Sequence, residues 1–216
     1  MKKSVSVSIL SADFLELKNE LDKIEKSNAD MLHFDVMDGV FVPNISFGFP
    51  VLDTVNKYTD MHLDVHLMIT DPLKYIDECV KFGADIITIH LESESDTEKA
   101  LDKIKKSGVK AGLSVKPGTP FEDAIPFMDK IDMLLIMTVE PGFGGQSFME
   151  DMLDKIAAAK KYISENNLDV AIEVDGGINN KTGKLVSEAG ADILVAGSYI
   201  FKHSDMNEAV SSLACL

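Results

Sequence analysis

The 216-residue chain has no arginine and no tryptophan, and its 21 basic residues are all lysine. Without arginine there is no planar bidentate fork, so a bound anion must be held by lysine, hydroxyls or backbone N–H groups. Positive charge is short overall: 36 acids against 21 bases give a net charge of −15. Nucleic-acid phosphates and anionic membranes select basic surfaces, so this balance argues against both as partners. It does not argue against a small anionic substrate, because a local site can oppose the global field. Cysteine is also scarce. Cys79 and Cys215 make neither a disulfide framework nor a zinc-ligand spacing, which points to a reducing, cytoplasmic compartment. Uninterrupted apolar runs are short, as in Met133–Met137, whereas a membrane-spanning helix needs roughly 20 such residues. The opening Met1-Lys2-Lys3 is followed by a serine-punctuated stretch and then Asp13. That is too short and too polar for the core of an export signal.

What is present is regular. Hydrophobic residues make up 45% and charged residues 26%, the balance of a globular domain. Short β-rich runs recur at Val5–Leu10, Met31–Val36, Leu63–Met68, Ile86–His90, Lys110–Val115, Met133–Val139, Val170–Val174 and Ile193–Ala196. They read as continuous apolar runs, the pattern of a parallel sheet covered on both faces. Between them lie segments with helical spacing. Phe14, Leu17, Leu21 and Ile24 form one stripe, and Met152, Ile156, Ala159 and Ile163 another. Asp13 and Asp71-Pro72 read as helix starts. Phrases such as Phe82-Gly83-Ala84-Asp85 and Ala189-Gly190-Ala191-Asp192 read as helix stops followed by strands. Eight βα units without a linker predict a single (β/α)8 barrel domain over residues 1–216. A doubly wound open sheet is the alternative. The strand count and the lack of a Gly-x-Gly-x-x-Gly after the first strand disfavour it.

In such a barrel the chemistry sits at the C-terminal strand ends. The polar residues placed there are Ser8, His33, Asp35, Asp64, His66, His90, Lys116, Thr138, Glu140, Asp175 and Ser198. The sharpest pattern is His33-Phe34-Asp35 on the second strand beside Asp64-Val65-His66 on the third. Residues two apart share a face of a strand, so adjacent strands can bring imidazoles and carboxylates together. With Asp175 from the seventh strand they make a His2Asp2 set suited to a divalent Zn, Fe, Mn or Co ion. Three glycine-rich turns follow strands six, seven and eight: Gly142 to Gly145, Gly176-Gly177 and Gly197-Ser198. Such turns let the backbone approach a phosphate and offer it N–H groups. Met37, Met68 and Met137 each fall at a strand end. Asp38 and Asn44 read as turn residues, His62 and His203 as surface residues, and Glu173 as part of a buried layer lower in the barrel. No partner is evident for His90.

Together these stretches resemble the ribulose-phosphate 3-epimerase family. The resemblance runs through Ser8–Phe14, His33–Gly39 with Phe41-Val42-Pro43-Asn44, Asp64–Met68, Met137–Gln146, Glu173–Ile178 and Ala196-Gly197-Ser198. It implies a (β/α)8 barrel, one divalent metal cation per chain and a small phosphorylated ketose, a ketopentose 5-phosphate, as substrate. It implies His33, Asp35, His66 and Asp175 as metal ligands, with Asp35 and Asp175 doubling as the acid/base pair. Ser8 and His66 would contact substrate, and Met37, Met68 and Met137 would cap the reacting centre. Gly142, Gly144, Gly145, Gly176, Gly177, Gly197 and Ser198 would surround the phosphate. The family forms assemblies, so a homo-oligomer is implied as well. Two other readings stand beside this one: an epimerase of allulose 6-phosphate on the same fold, and a non-catalytic phosphosugar-binding barrel.

Overall fold

The computed structural model describes residues 2–216; Met1, where the lysine-rich opening and the expected domain begin, lies outside them. Among the described residues, eight strands form one closed parallel barrel in sequence order. They are β1 (Ser4–Ser8), β2 (Met31–Met37), β3 (His62–Met68), β4 (Ile86–His90), β5 (Lys110–Val115), β6 (Met133–Met137), β7 (Ala171–Asp175) and β8 (Ile193–Ala196). β8 pairs with β1, which removes any sheet edge. No strand end lies more than two residues from its sequence expectation.

The helices outside are α1 (Leu17–Lys26), α2 (Phe49–Tyr58), α3 (Ile76–Lys81), α4 (Thr97–Lys106), α5 (Met152–Glu165), α6 (Asn180–Ala189), α7 (Ser198–Lys202) and α8 (Met206–Ala214). Each longer helix buries one apolar stripe. α5 buries Met152, Ile156, Ala159 and Ile163, spaced at helical steps of three and four. Gly190 ends α6 at φ +122°; a side chain there would be strained and would press on Lys160.

Four local expectations are corrected. Asp13 does not start α1: its carboxylate accepts from Leu15 N–H at 3.0 Å, and the helix begins at Leu17. A short acid satisfied in its own turn competes with helix formation, and the exposed Phe14 and Leu15 supply no burial to extend it. Asp71-Pro72 opens a 3-10 turn, Pro72–Lys74. Asp71 accepts there from the Ser95 hydroxyl at 2.5 Å rather than from a helical N–H. After β5 there is only a 3-10 stretch, Phe121–Phe127, because Pro126 inside it removes a donor an α-helix needs. Finally, β2 and β3 alternate instead of running apolar throughout. Leu32, Phe34 and Val36 join the core under the helices, while the residues between them face the lumen.

The lumen is filled in layers from alternate strands. Its floor is an apolar cluster of Met31, Ile86, Met133 and Ile193 from the even strands. Above it the side chains turn polar. Ser6, Asp64 and Glu173 come from odd strands, and His33 and Thr88 from even ones, all fully buried.

Candidate active site

At the C-terminal mouth β2, β3 and β7 supply the chemistry. Parallel pairing sets His33 beside Asp64 and Asp35 beside His66. His33 Nε2 lies 3.2 Å from Asp35 Oδ1 and 4.0 Å from Asp175 Oδ2. His66 Nδ1 lies 3.1 Å from the same Asp35 oxygen. One ligating atom from each of His33, Asp35, His66 and Asp175 falls within 4.8 Å of the others, so the expected four-residue set converges. His33 Nε2 is buried without a hydrogen-bond partner, though it faces two carboxylates. A buried nitrogen of that kind is rare and fits a cation held between it and the acids.

Other residues hold these four in place. His33 Nδ1 donates to Asp64 Oδ2 at 2.6 Å, and Ser6 Oγ donates to the same oxygen at 3.0 Å. Asp64, grouped with the mouth in the sequence reading, thus lies beneath His33 as its support. Ser8 Oγ donates to Asp35 Oδ2 at 2.8 Å. Thr138 Oγ donates to the carbonyls of Asp175 at 2.9 Å and Gly176 at 2.6 Å, tying β6 to the end of β7.

The charges are strongly coupled. Burial alone would lower the His33 pKa, but the Asp64 and Asp35 carboxylates outweigh it and raise it well above the usual value. Burial works against the Asp35 charge, yet His33 and then His66 hold Asp35 far below the carboxylate range. Asp175 goes the other way: burial, and next the Asp35 charge, push it up to about 6. Glu173, in the buried layer expected for it, is raised well above its usual value by burial and by Asp64.

A cleft opens over this cluster, lined by Ser8, Asp35, Asp175, the three methionines and the glycine turns. Met37, Met68 and Met137 are buried around its base. At Gly177, φ is +67° and an added Cβ would lie 2.6 Å from Phe148 N; at Gly197 it would lie 2.7 Å from Ser11 Oγ. Only glycine fits the approach to backbone at Gly177. Asn44 Nδ2 donates to the Gly142 carbonyl at 2.8 Å and so joins the loops after β2 and β6. Asp38 accepts from Val40, Phe41 and Thr70 N–H groups, a purely structural turn role. His62 is exposed at the N-terminal end of β3, away from the mouth, whereas His203 is half-buried just past α7 and lines a surface hollow with Gly177 and Ser198. Lys116 Nζ stands 3.7 Å over the Phe41 ring.

The sequence profile described as the ribulose-phosphate 3 epimerase family matches residues 4–201. The chain belongs to this family. It is 47% identical over 210 residues to the ribulose-phosphate 3-epimerase of Bacillus subtilis (strain 168), covering 97% of both chains. It is 44% identical to the chloroplastic ribulose-5-phosphate-3-epimerase of Arabidopsis thaliana, covering 97% of this chain and 75% of the relative. As a member of the ribulose-phosphate 3-epimerase family it is an enzyme of the isomerase class. Solved structures share the fold alone: a 3-hexulose-6-phosphate synthase (TM-score 0.71, 20% identity, covering 100% of this chain and 99% of that one) and KGPDC from Streptococcus mutans (TM-score 0.74, 14% identity, 98% and 95%).

One part of the epimerase site was not anticipated. His66 Nε2 lies 2.8 Å from His90 Nε2, and His90 Nδ1 donates to Glu92 Oε2 at 3.2 Å. Burial lowers His90 to about 4. Burial opposes the Glu92 charge, but His90, Thr119 and Lys116 N–H donors outweigh it and hold Glu92 at about 2. The only sequence signal for this link was an acid two residues after a strand-end histidine.

Proposed function

We propose that the enzyme interconverts D-ribulose 5-phosphate and D-xylulose 5-phosphate by inverting C3, with Asp35 and Asp175 as the acid/base pair. The observation that carries this is the convergence of these carboxylates, from β2 and β7, on His33 at the base of the cleft. Inverting a carbon beside a carbonyl requires a proton to leave one face and another to arrive on the opposite face. Two carboxylates from separate strands can flank the sugar; a single one cannot. Ser8 holds Asp35 by its hydroxyl and lines the cleft, where it would also meet substrate. Met37, Met68 and Met137 would keep water from the reacting carbon.

His33, Asp35, His66 and Asp175 would hold one divalent cation per chain, of the Zn, Fe, Mn or Co class. Bound there it would supply a Lewis acid for the enediolate oxygens. The phosphate would rest on backbone N–H groups of Gly144, Gly145, Gly176, Gly177, Gly197 and Ser198, beside Gly142. This suits a chain without arginine, and fixing the phosphate orients C3 between the two acids. The exposed Leu15, Val40 and Ile45 support a homo-oligomer, and the two free cysteines accord with a cytoplasmic setting.

The test is turnover of ribulose 5-phosphate and allulose 6-phosphate before and after chelation, with elemental analysis of the protein. The pentose should turn over faster, lose activity on chelation and regain it with about one equivalent of cation. Full activity in metal-free protein overturns the cation. Faster turnover of the hexose overturns the substrate. Binding without inversion of either leaves a phosphosugar-binding barrel.

A further inference from the structure

We propose that Lys202 is a substrate-binding residue whose ammonium supplies the positive charge that the arginine-free phosphate subsite otherwise lacks. This rests on the reading that the glycine turns after β6, β7 and β8 hold the substrate phosphate. A phosphate monoester carries a charge of about −1.5 to −2 at neutral pH. Backbone N–H groups give it hydrogen bonds but no net charge, and the chain as a whole carries −15. A phosphorylated sugar approaching this protein therefore meets a repulsive field unless a local cation opposes it.

At its phosphate end the cleft continues into an open hollow. Gln146, Gly177 and Ser198 line both, and Lys202 lines the hollow. Ser198 and Lys202 are the first and last residues of α7. Residues four apart lie on one face of a helix, about 5–6 Å apart at Cβ, and helical side chains lean towards the N-terminus. The Lys202 stem therefore leans over the turn that begins at Ser198, towards the glycine turn of β8. Other polar side chains of the hollow are engaged within the protein. Gln146 Nε2 donates to the Glu140 and Phe143 carbonyls, Asn179 caps α6, and His203 Nδ1 accepts from Asp205 N–H at 3.2 Å. Lys202 is exposed. Lys160 and Lys184 pair with Asp192 and Glu188, whereas among the described residues Lys202 pairs with no acid. Two further lysines near the mouth are also committed. Lys116 lies over Phe41, and Lys155 Nζ donates to the carbonyls of Lys116 and Pro117. Lys181 lines a neighbouring hollow together with Glu150, an acid that offsets its charge.

The experiment is steady-state kinetics on ribulose 5-phosphate, with inorganic phosphate as a competitive inhibitor, for wild type, Lys202→Met, Lys202→Arg and Lys181→Met. Methionine keeps an unbranched stem and removes the charge. At an ionic strength of roughly 0.01 M, Lys202→Met should raise KM and the inhibition constant of phosphate about 5- to 10-fold, with kcat within about twofold. Lys202→Arg should restore both constants, and Lys181→Met should leave both near wild type. At roughly 0.15 M the Lys202→Met effect should shrink, because salt screens an exposed charge; lost packing would not respond. Unchanged constants in Lys202→Met overturn the proposal. So does an effect that ignores salt, one that arginine fails to restore, or one that Lys181→Met reproduces in full. If inorganic phosphate does not compete in the wild type at all, the reading of the glycine turns as the phosphate subsite falls, and the role of Lys202 with it.

Discussion

The floor of the barrel and its mouth are built under opposite rules. At the floor, Met31, Ile86, Met133 and Ile193 close the lumen with apolar volume. Nearer the mouth β2, β3, β4 and β7 carry His33, Asp35, His66, His90 and Asp175. The floor follows the burial rule for apolar side chains and favours the folded state. The mouth breaks that rule, and its buried charges persist only because each is paired or hydrogen-bonded. The difference teaches that the N-terminal end of this barrel is a foundation and the C-terminal end is an electrostatic device.

The largest effects are expected at the mouth. Asp35→Asn and Asp175→Asn should each lower kcat by about 10^3- to 10^4-fold, the upper range for removing a positioned acid or base. Measured in deuterium oxide with metal content checked, each variant should still exchange the C3 hydrogen of one epimer, and a different one in each case. Near wild-type epimerisation by either variant, with metal retained, would remove that carboxylate from the mechanism.

At the floor the pattern should reverse. Met133→Ala should lower unfolding free energy by about 2–5 kcal/mol, the range for emptying a packed core site. It should leave kcat nearly unchanged in denaturant and turnover measurements made side by side. A large loss of kcat in a folded Met133→Ala protein would erase the distinction between the two ends.

Gly197→Asp probes the rim. The new side chain meets Ser11 and the Ser8 carbonyl and adds a like charge to a phosphate subsite. KM should rise about 30-fold, roughly 2 kcal/mol, while kcat changes less. If steady-state kinetics give an unchanged KM, the phosphate lies elsewhere on the rim, and Lys116 becomes the next residue to replace.

The smallest effect belongs to the layer between the two ends. Glu173 has a raised pKa when folded, so the folded state binds more protons than the unfolded chain. Its contribution to stability is present below the unfolded value, about 4.3, and declines as pH rises towards the folded value. Glu173→Gln should remove that decline. Thermal melts of wild type and variant should diverge in the variant's favour from pH 4 to pH 7. Parallel curves would show that Glu173 is charged in the folded protein.

Much of this was legible in one dimension. Strands such as Ile86–His90 and Ile193–Ala196 stand out because a short β-branched run between turn residues has few other uses. The pairs His33/Asp35 and Asp64/His66 stand out because polar side chains two apart in a buried strand must share a face. The starts of α1 and α3 were misplaced for a local reason: Asp13 and Asp71 find partners outside a helix. The missing α-helix after β5 was hidden because Phe121 and Ala124 are buried at helical spacing although proline denies the backbone its bonds.

The amino-acid sequence by itself determined the alternation of strand and helix, and with it a barrel whose chemistry lies at the strand ends. Periodicity, turn residues and strand parity are local properties and can be read along the chain. The tertiary structure alone decided who meets whom. The register between strands sets Asp64 beside His33, where it serves as a support, and Asp35 beside His66. Barrel closure carries Asp175 to within 4.0 Å of His33, and the β4 end brings His90 and Glu92 behind His66. Register and closure depend on the packing of all eight strands at once, so no window of sequence contains them.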